Sequence, residues 1–196
     1  MNIFKINIVL ASNSPRRKEL LESMGYIVEV VKLSMDESYP KTLNVKKIAE
    51  FIADKKMDTF FKQNEGFDGI VLSADTIVVK EGKILGKPTD KRQAFGYLKG
   101  LSNSCHEVIT GVCIRFREYK ICFSDISKVY FDKLSYEEIE YYINNFKVFD
   151  KAGGYAIQEW VGLAKISKIV GSYSNIVGLP TQKVYQNLKE IIEKIN

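Results

Sequence analysis

The sequence predicts an α/β fold, and three features predict it. A short continuous apolar run, Ile8 to Ala11, bends through polar residues into a helix signal at Ser14-Pro15. Apolar residues then recur at helical spacing from Val45 onward, and strand-like runs rich in β-branched residues return between the helical stretches. Alternation of these two periods along one chain is the pattern of a sheet covered by helices.

Taken in order, Ile8 to Ala11 reads as a buried strand. Ser14 stands where an N-cap belongs, Pro15 at the first helical position, and Gly25 where the helix carrying Leu20, Leu21 and Met24 should end. Tyr26 to Val31 is a second strand feeding a polar loop with Asp36, Glu37 and Pro40. Val45, Ile48, Ala49 and Ile52 mark a helix running toward Phe60, and Gly69 to Val79 is the most strand-like run of the chain. Glu81-Gly82 is a tight turn, Ile84 and Leu85 return as a brief strand, and Gly86-Lys87-Pro88 is a rigid loop. Thr89 or Asp90 caps a helix through Leu98, with Gly100 just past its end. His106 to Phe116 and Ile121 to Phe131 pair as antiparallel strands joined around Glu118 and Tyr119. Ser135 and Glu138 form a capping box ahead of Ile139, Tyr142 and Ile143. A glycine-bearing bend covers Asp150 to Gln158, Ile166 to Val170 is a strand, and Gly171 to Pro180 is a polar loop. Thr181 opens a last helix whose Val184, Leu188, Ile191 and Ile195 form an apolar stripe for core or dimer packing.

The totals bound the function. At 196 residues, 45% hydrophobic and 27% charged, the chain is long enough for one domain or two lobes sharing a core. Its formal charge of +5 lies in short clusters such as Lys46-Lys47 and Lys55-Lys56, which favours a small anionic ligand over a polymer. Cys105, Cys113 and Cys122 are odd in number and lack C-x-x-C spacing, so neither a disulfide framework nor a zinc site is expected, and reduced thiols in a cytoplasm are. The N-terminal apolar segment is interrupted by Lys5 and Asn7, which argues against a signal peptide or a membrane span.

Two features call for a ligand. Arg16 and Arg17 occupy a helix start, where the dipole favours negative charge, so something anionic should sit there; with Ser12, Ser14 and free backbone N–H groups they describe a phosphate cradle. A solvated arginine pair or a kinase site is the alternative. Asp75 lies in the middle of an apolar strand, and an unpaired buried carboxylate costs several kcal/mol, so a metal or a cation should accompany it unless the strand end meets water. With Lys56, Lys87 and Glu37 these residues make a set suited to triphosphate chemistry, and no G-x-x-x-x-G-K-[ST] is present. His106, the single histidine, reads as a structural hydrogen-bond donor.

In combination, these motifs resemble the Maf family of nucleoside triphosphate pyrophosphatases. The resemblance rests on Ser12-x-Ser14-Pro15-Arg16-Arg17, Glu37, Ala53-x-x-Lys56, Ala74-Asp75-Thr76, Gly86-Lys87-Pro88, His106-Glu107-Val108-x-Thr110-Gly111, Asp150 to Gln158 and Gly171-Ser172-Tyr173 through Gly178-Leu179-Pro180. It implies one Maf-like domain over residues 1–196, with two lobes around a mixed central sheet flanked by helices and an active-site cleft between them. It also implies hydrolysis of a nucleoside triphosphate to monophosphate and pyrophosphate with Mg²⁺ or Mn²⁺, and a homodimer. Asp75 matches the family's catalytic acidic residue, acting as general base and touching the metal with Glu37; Ser12, Arg16, Lys56 and Lys87 match phosphate contacts. Arg17, Thr76 and Gln158 resemble the subgroup acting on dTTP and UTP, and a Gln amide suits a pyrimidine edge carrying adjacent carbonyl and N–H groups. Glu159-Trp160 departs from the glycine-rich continuation of many relatives, and Trp160 is expected to pack. Neither a stable nucleic-acid partner nor a membrane is expected. The competing readings are a non-catalytic phosphate- or nucleic-acid-binding regulator of division, and the same chemistry on a purine such as 7-methyl-GTP.

Overall fold

The structure, a computed structural model, describes residues 6–195, without the side chains of residues 194 and 195. Lys5 and the Ile195 side chain, both used in the sequence reading, therefore lie outside the described residues. Seven strands and seven helices alternate among the described residues. In order they are β1 (Asn7–Ala11), α1 (Pro15–Ser23), β2 (Ile27–Val30), α2 (Val45–Gln63), β3 (Ile70–Lys80), β4 (Lys83–Leu85), α3 (Lys91–Leu101), β5 (Cys105–Phe116), β6 (Tyr119–Phe131), α4 (Tyr136–Asn145), α5 (Trp160–Lys165), β7 (Ile166–Val170), α6 (Tyr173–Val177) and α7 (Thr181–Ile195). The strands join in one mixed sheet of order β2-β1-β3-β5-β6-β7, with β4 paired to β3. β1 runs parallel to both β2 and β3, whereas β3–β4 and β6–β7 are antiparallel. The expected α/β class with a mixed central sheet is what the chain adopts.

By its contacts the chain divides into two compact units. The first comprises Met1–Asp75, Thr110–Asp125 and Gly178–Asn196. Its core collects Leu10, Leu72, Val112 and Ile114 with Leu188, Ile191 and Ile192, so the stripe of α7 is core packing. A second cluster sets Val9 and Val71 against Ala53, Met57 and Phe60 of α2. Gly111 makes that approach possible, since a Cβ there would lie 2.2 Å from the backbone nitrogen of Glu50. The second unit comprises Thr76–Ile109 and Ile126–Val177, with Leu98, Leu101, Val129, Ile139 and Tyr142 at its centre.

The caps expected at Asp90 and Ser135 are in place, and Asn44, not singled out in the sequence, supplies another. Asn44, Asp90 and Ser135 cap their helices through side-chain oxygens, and Ser135 and Glu138 complete the capping box. The β3–β4 hairpin turns on Glu81 and Gly82, both at positive φ (50° and 75°). Ser14 holds the expected N-cap position of α1, without a side-chain cap bond. Four readings are corrected. Gly100 lies inside α3, which ends at Leu101, and the supposed loop after Gly171 contains the short helix α6, after a further short helix, α5, that periodicity did not reveal. The β5–β6 turn is Arg117–Glu118, one residue earlier than expected. That register sets Cys113 opposite Cys122, equidistant from the turn with Cα atoms 4.1 Å apart, and the two form a disulfide where reduced thiols were expected; among the described residues only Cys105 is a free thiol. No helix among the described residues is long and apolar enough to cross a membrane.

Candidate active site

In the first unit, the carboxyl end of β1 lies beside the middle of β3, with Ala11 registered on Ser73. Ligands in open α/β sheets bind beyond such ends. Ser12 leaves β1 there and Asp75 is two residues past Ser73, one of two half-buried positions in an otherwise buried stretch of β3. The Ser73 hydroxyl donates to the carbonyl of Ala53 at 2.7 Å, fixing α2 against β3. Lys56, three residues along α2, thereby brings its Nζ to Asp75 Oδ1 at 2.7 Å and to Glu37 Oε1 at 2.8 Å. The Lys56 side chain is only 10% exposed, and that of Asp75 14%, against 51% for Glu37. The loop around Glu37 is tied to the same helix: Lys55 pairs with Asp36 at 3.7 Å and donates to the Ser38 carbonyl at 3.2 Å.

Of the two arginines, Arg17 is buried. Its Nε donates to the carbonyl of Gly178 at 2.8 Å and its Nη1 to Ser12 Oγ at 2.6 Å, so it ties the start of α1 to the end of β1 and to the approach to α7. Burial pulls its pKa below the ordinary arginine range; Asp75 opposes that, Arg16 adds to it, and Glu37 opposes it again. Arg16 is half-buried on the same turn. Ser12, Arg16, Arg17, Glu37, Lys56 and Asp75 thus all belong to the first unit, and the sequence reading had anticipated each of them.

Thr76, Lys87 and Gln158 belong to the second unit. Lys87 is exposed on its loop, and the carbonyl of the preceding Gly86 accepts from the Gly153 N–H at 3.0 Å. A Cβ on Gly153, whose φ is 71°, would lie 3.1 Å from Val78, so the bend packs down on β3. Gln158 is exposed in the turn that follows. His106 is buried, its Nε2 2.6 Å from the Tyr155 hydroxyl and its ring against Phe131, which fits a structural role. Trp160 meets Tyr141 edge to face at 5.3 Å, as expected of a packing residue.

Residues that the sequence reading gave no role surround this turn. Tyr142, read only as part of an apolar face, donates its hydroxyl to Glu159 and accepts from the Ala156 N–H at 3.1 Å. Glu159 also pairs with Lys151, whose side chain is 6% exposed, at 3.2 Å. Burial, and next the bond to Glu159, push the Tyr142 phenol pKa far up, so it stays protonated.

The acidic pair in the first unit suits a hard divalent cation. Glu37 and Asp75 direct one oxygen each at a single positive charge, here the Lys56 ammonium, and carboxylate oxygens are the donors that Mg²⁺ and Mn²⁺ take. A second group, Asp54 with Cys113 and Cys122, brings three possible ligand atoms within 4.8 Å, but its sulfurs are bonded to each other and so are not thiolates.

Comparison with known proteins finds relatives along nearly the whole chain. A dTTP/UTP pyrophosphatase of Bacteroides fragilis (strain YCH46) is 45% identical over 192 residues, covering 97% of this chain and 98% of that protein. Proteins of the same name from Christiangramia forsetii and Flavobacterium psychrophilum are 45% and 46% identical, covering 94% and 91% of this chain and the same shares of theirs. Among solved structures, the Staphylococcus aureus Ham1 protein matches 64% of this chain and 71% of its own at 14% identity, with a TM-score of 0.44. The profile of the family described as "Maf-like protein" matches residues 7–191, and with nearly the whole chain so covered, this protein belongs to the Maf-like family.

Proposed function

We propose that this protein hydrolyses dTTP and UTP to the nucleoside monophosphate and pyrophosphate. The observation that carries the reading is the buried side chain of Lys56 held by Asp75 and Glu37 where β1 ends beside the middle of β3. The names of relatives about 45% identical over nearly full length supply the substrate class.

Asp75 acts as general base. Its carboxylate takes a proton from a water whose oxygen bonds to the α-phosphorus as the bond to the bridging oxygen breaks, and pyrophosphate leaves with that electron pair. Half-burial suits the role, because a base screened by solvent would hold its water less firmly. Lys56, Arg16, Arg17, Ser12 and Lys87 neutralise and hold phosphate oxygens. Thr76 and Gln158 select the base. Glu37 and Asp75 would hold Mg²⁺ or Mn²⁺, which supplies charge neutralisation on the phosphates. The same reading makes the protein a cytoplasmic homodimer with no stable nucleic-acid partner.

The test is pyrophosphate release from a panel of triphosphates with Mg²⁺ or Mn²⁺. Turnover of dTTP and UTP, lost in Asp75→Asn, supports the proposal. Preference for a purine such as 7-methyl-GTP, or tight binding without turnover, replaces it with one of the competing readings.

A further inference from the structure

The turn that carries Gln158 is built on one phenol oxygen. The Glu159 N–H closes the turn by donating to the Ala156 carbonyl at 3.2 Å, and the Ala156 N–H donates to Tyr142 Oη at 3.1 Å. Tyr142 passes its own proton to the carboxylate of Glu159, so both ends of the four-residue turn meet at a single buried hydroxyl of α4. The second oxygen of Glu159 lies 3.2 Å from Lys151, itself also paired with Asp150 at 2.8 Å and bonded to the Lys147 carbonyl. Behind the turn, α5 starts at once, and a Cβ on Gly162 would overlap the Ile157 carbonyl oxygen at 1.9 Å. Gln158 is the exposed residue on an otherwise anchored loop. A flexible amide on a loose turn would distinguish bases poorly, because a misplacement of about 1 Å can cost a hundredfold in a positioned contact.

We propose that Glu159 is a positioning residue: bridging Tyr142 and Lys151, it clamps the Ala156–Glu159 turn so that the Gln158 amide is presented in one orientation, and base selectivity depends on that clamp. The second half of this statement rests on the reading that Gln158 selects the base; the first half does not. Glu159 touches no reacting atom and acts through its neighbour.

Two measurements on the full chain separate the parts. Amide hydrogen exchange should speed up about tenfold or more at Ala156 and Glu159 in Glu159→Ala and in Tyr142→Phe, with Glu159→Gln, which still accepts from the phenol, between them and the parent. Unchanged exchange at those amides overturns the clamp whatever nucleotide is used. In steady-state hydrolysis of UTP and CTP, Glu159→Ala should raise KM for UTP about tenfold with kcat within about twofold, and lower the UTP-over-CTP ratio by the same factor. Adding Glu159→Ala to Gln158→Ala should cost nothing further, because both remove one function. A second full loss in the double variant, or a fall in kcat with KM unmoved, overturns the link to selectivity. A parent protein that turns over no triphosphate sinks the pyrophosphatase reading, and the clamp then stands or falls on exchange alone.

Discussion

The two units hold their buried polar groups by different means. In the first, charge answers charge: the buried Lys56 lies between Glu37 and Asp75, and nearer the surface Lys120 lies between Asp54 and Asp58 and Lys183 against Asp125. In the second, neutral bonds dominate the interior. His106 meets Tyr155, and Asn175 donates to the Val108 carbonyl at 3.1 Å and to Ser127 at 2.9 Å; Lys151 with Glu159 and Asp150, and Lys165 with Glu138, are charged exceptions. An ion pair can exchange one partner for another of like charge, such as a phosphate or a metal, and still be satisfied. A neutral network keeps a shape only while each donor retains its acceptor. In the proposed reaction the first arrangement suits a place where polyphosphate charge arrives, and the second serves as a rigid frame.

The sharpest way to break the comparison is to neutralise the base in the first unit. Asp75→Asn should lower kcat about a thousandfold with its CD spectrum unchanged, the size expected for loss of a general base. A variant within tenfold of the parent would remove Asp75 from the chemistry. Next in size, Lys56→Met leaves two carboxylates facing each other and should cost about 3 kcal/mol of stability, read by urea denaturation. If the ammonium stands where a cation is wanted, millimolar Mg²⁺ or Mn²⁺ will raise the Tm of this variant more than that of the parent. Equal rises would show that metal and lysine do not compete for the acidic pair.

How much of this was legible beforehand follows from what each signal depends on. Helices of ten residues or more announced themselves by period, as α2, α4 and α7 did, and α4 by its capping box as well. The five residues of α6, Tyr-Ser-Asn-Ile-Val, are too few to show a period and are held from outside, through Ser172 and Asn175. Composition could not reveal the disulfide, because pairing depends on hairpin register: with the turn placed one residue later, Cys113 no longer faces Cys122. Asp75 drew notice because a carboxylate in an apolar strand is locally anomalous. Glu159 and Tyr142 did not, since a glutamate after a turn and a tyrosine on a helix face are ordinary until the fold brings them together.

The disulfide gives a smaller effect, confined to the first unit. Reducing Cys113–Cys122 reopens a short loop in the unfolded chain and should cost about 2–3 kcal/mol, lowering Tm by about 5–10 °C. Cys105→Ser, altering the free thiol of the second unit, should leave that difference in place. A reduced protein with the parent's Tm would show that the β5–β6 hairpin gains nothing from the bond.

The smallest effect tests the neutral network. Burial, and after it the charge of Lys80, drop the His106 pKa from its ordinary 6.5 to about 3. The folded protein therefore refuses a proton that the unfolded chain accepts below pH 6.5, so this stabilisation is complete above 6.5 and is lost progressively as pH falls toward 3. Between pH 7 and pH 5 the loss amounts to about 2 kcal/mol for this one group. Glutamine at this position can still bond to the Tyr155 hydroxyl but does not titrate, so His106→Gln should flatten the stability profile over that interval by about the same amount. Carboxylates titrate mostly below it and contribute to both proteins alike. Parallel profiles for parent and variant would mean that His106 accepts its proton without leaving the fold, and that the second unit is less tightly committed to neutral partners than its geometry indicates.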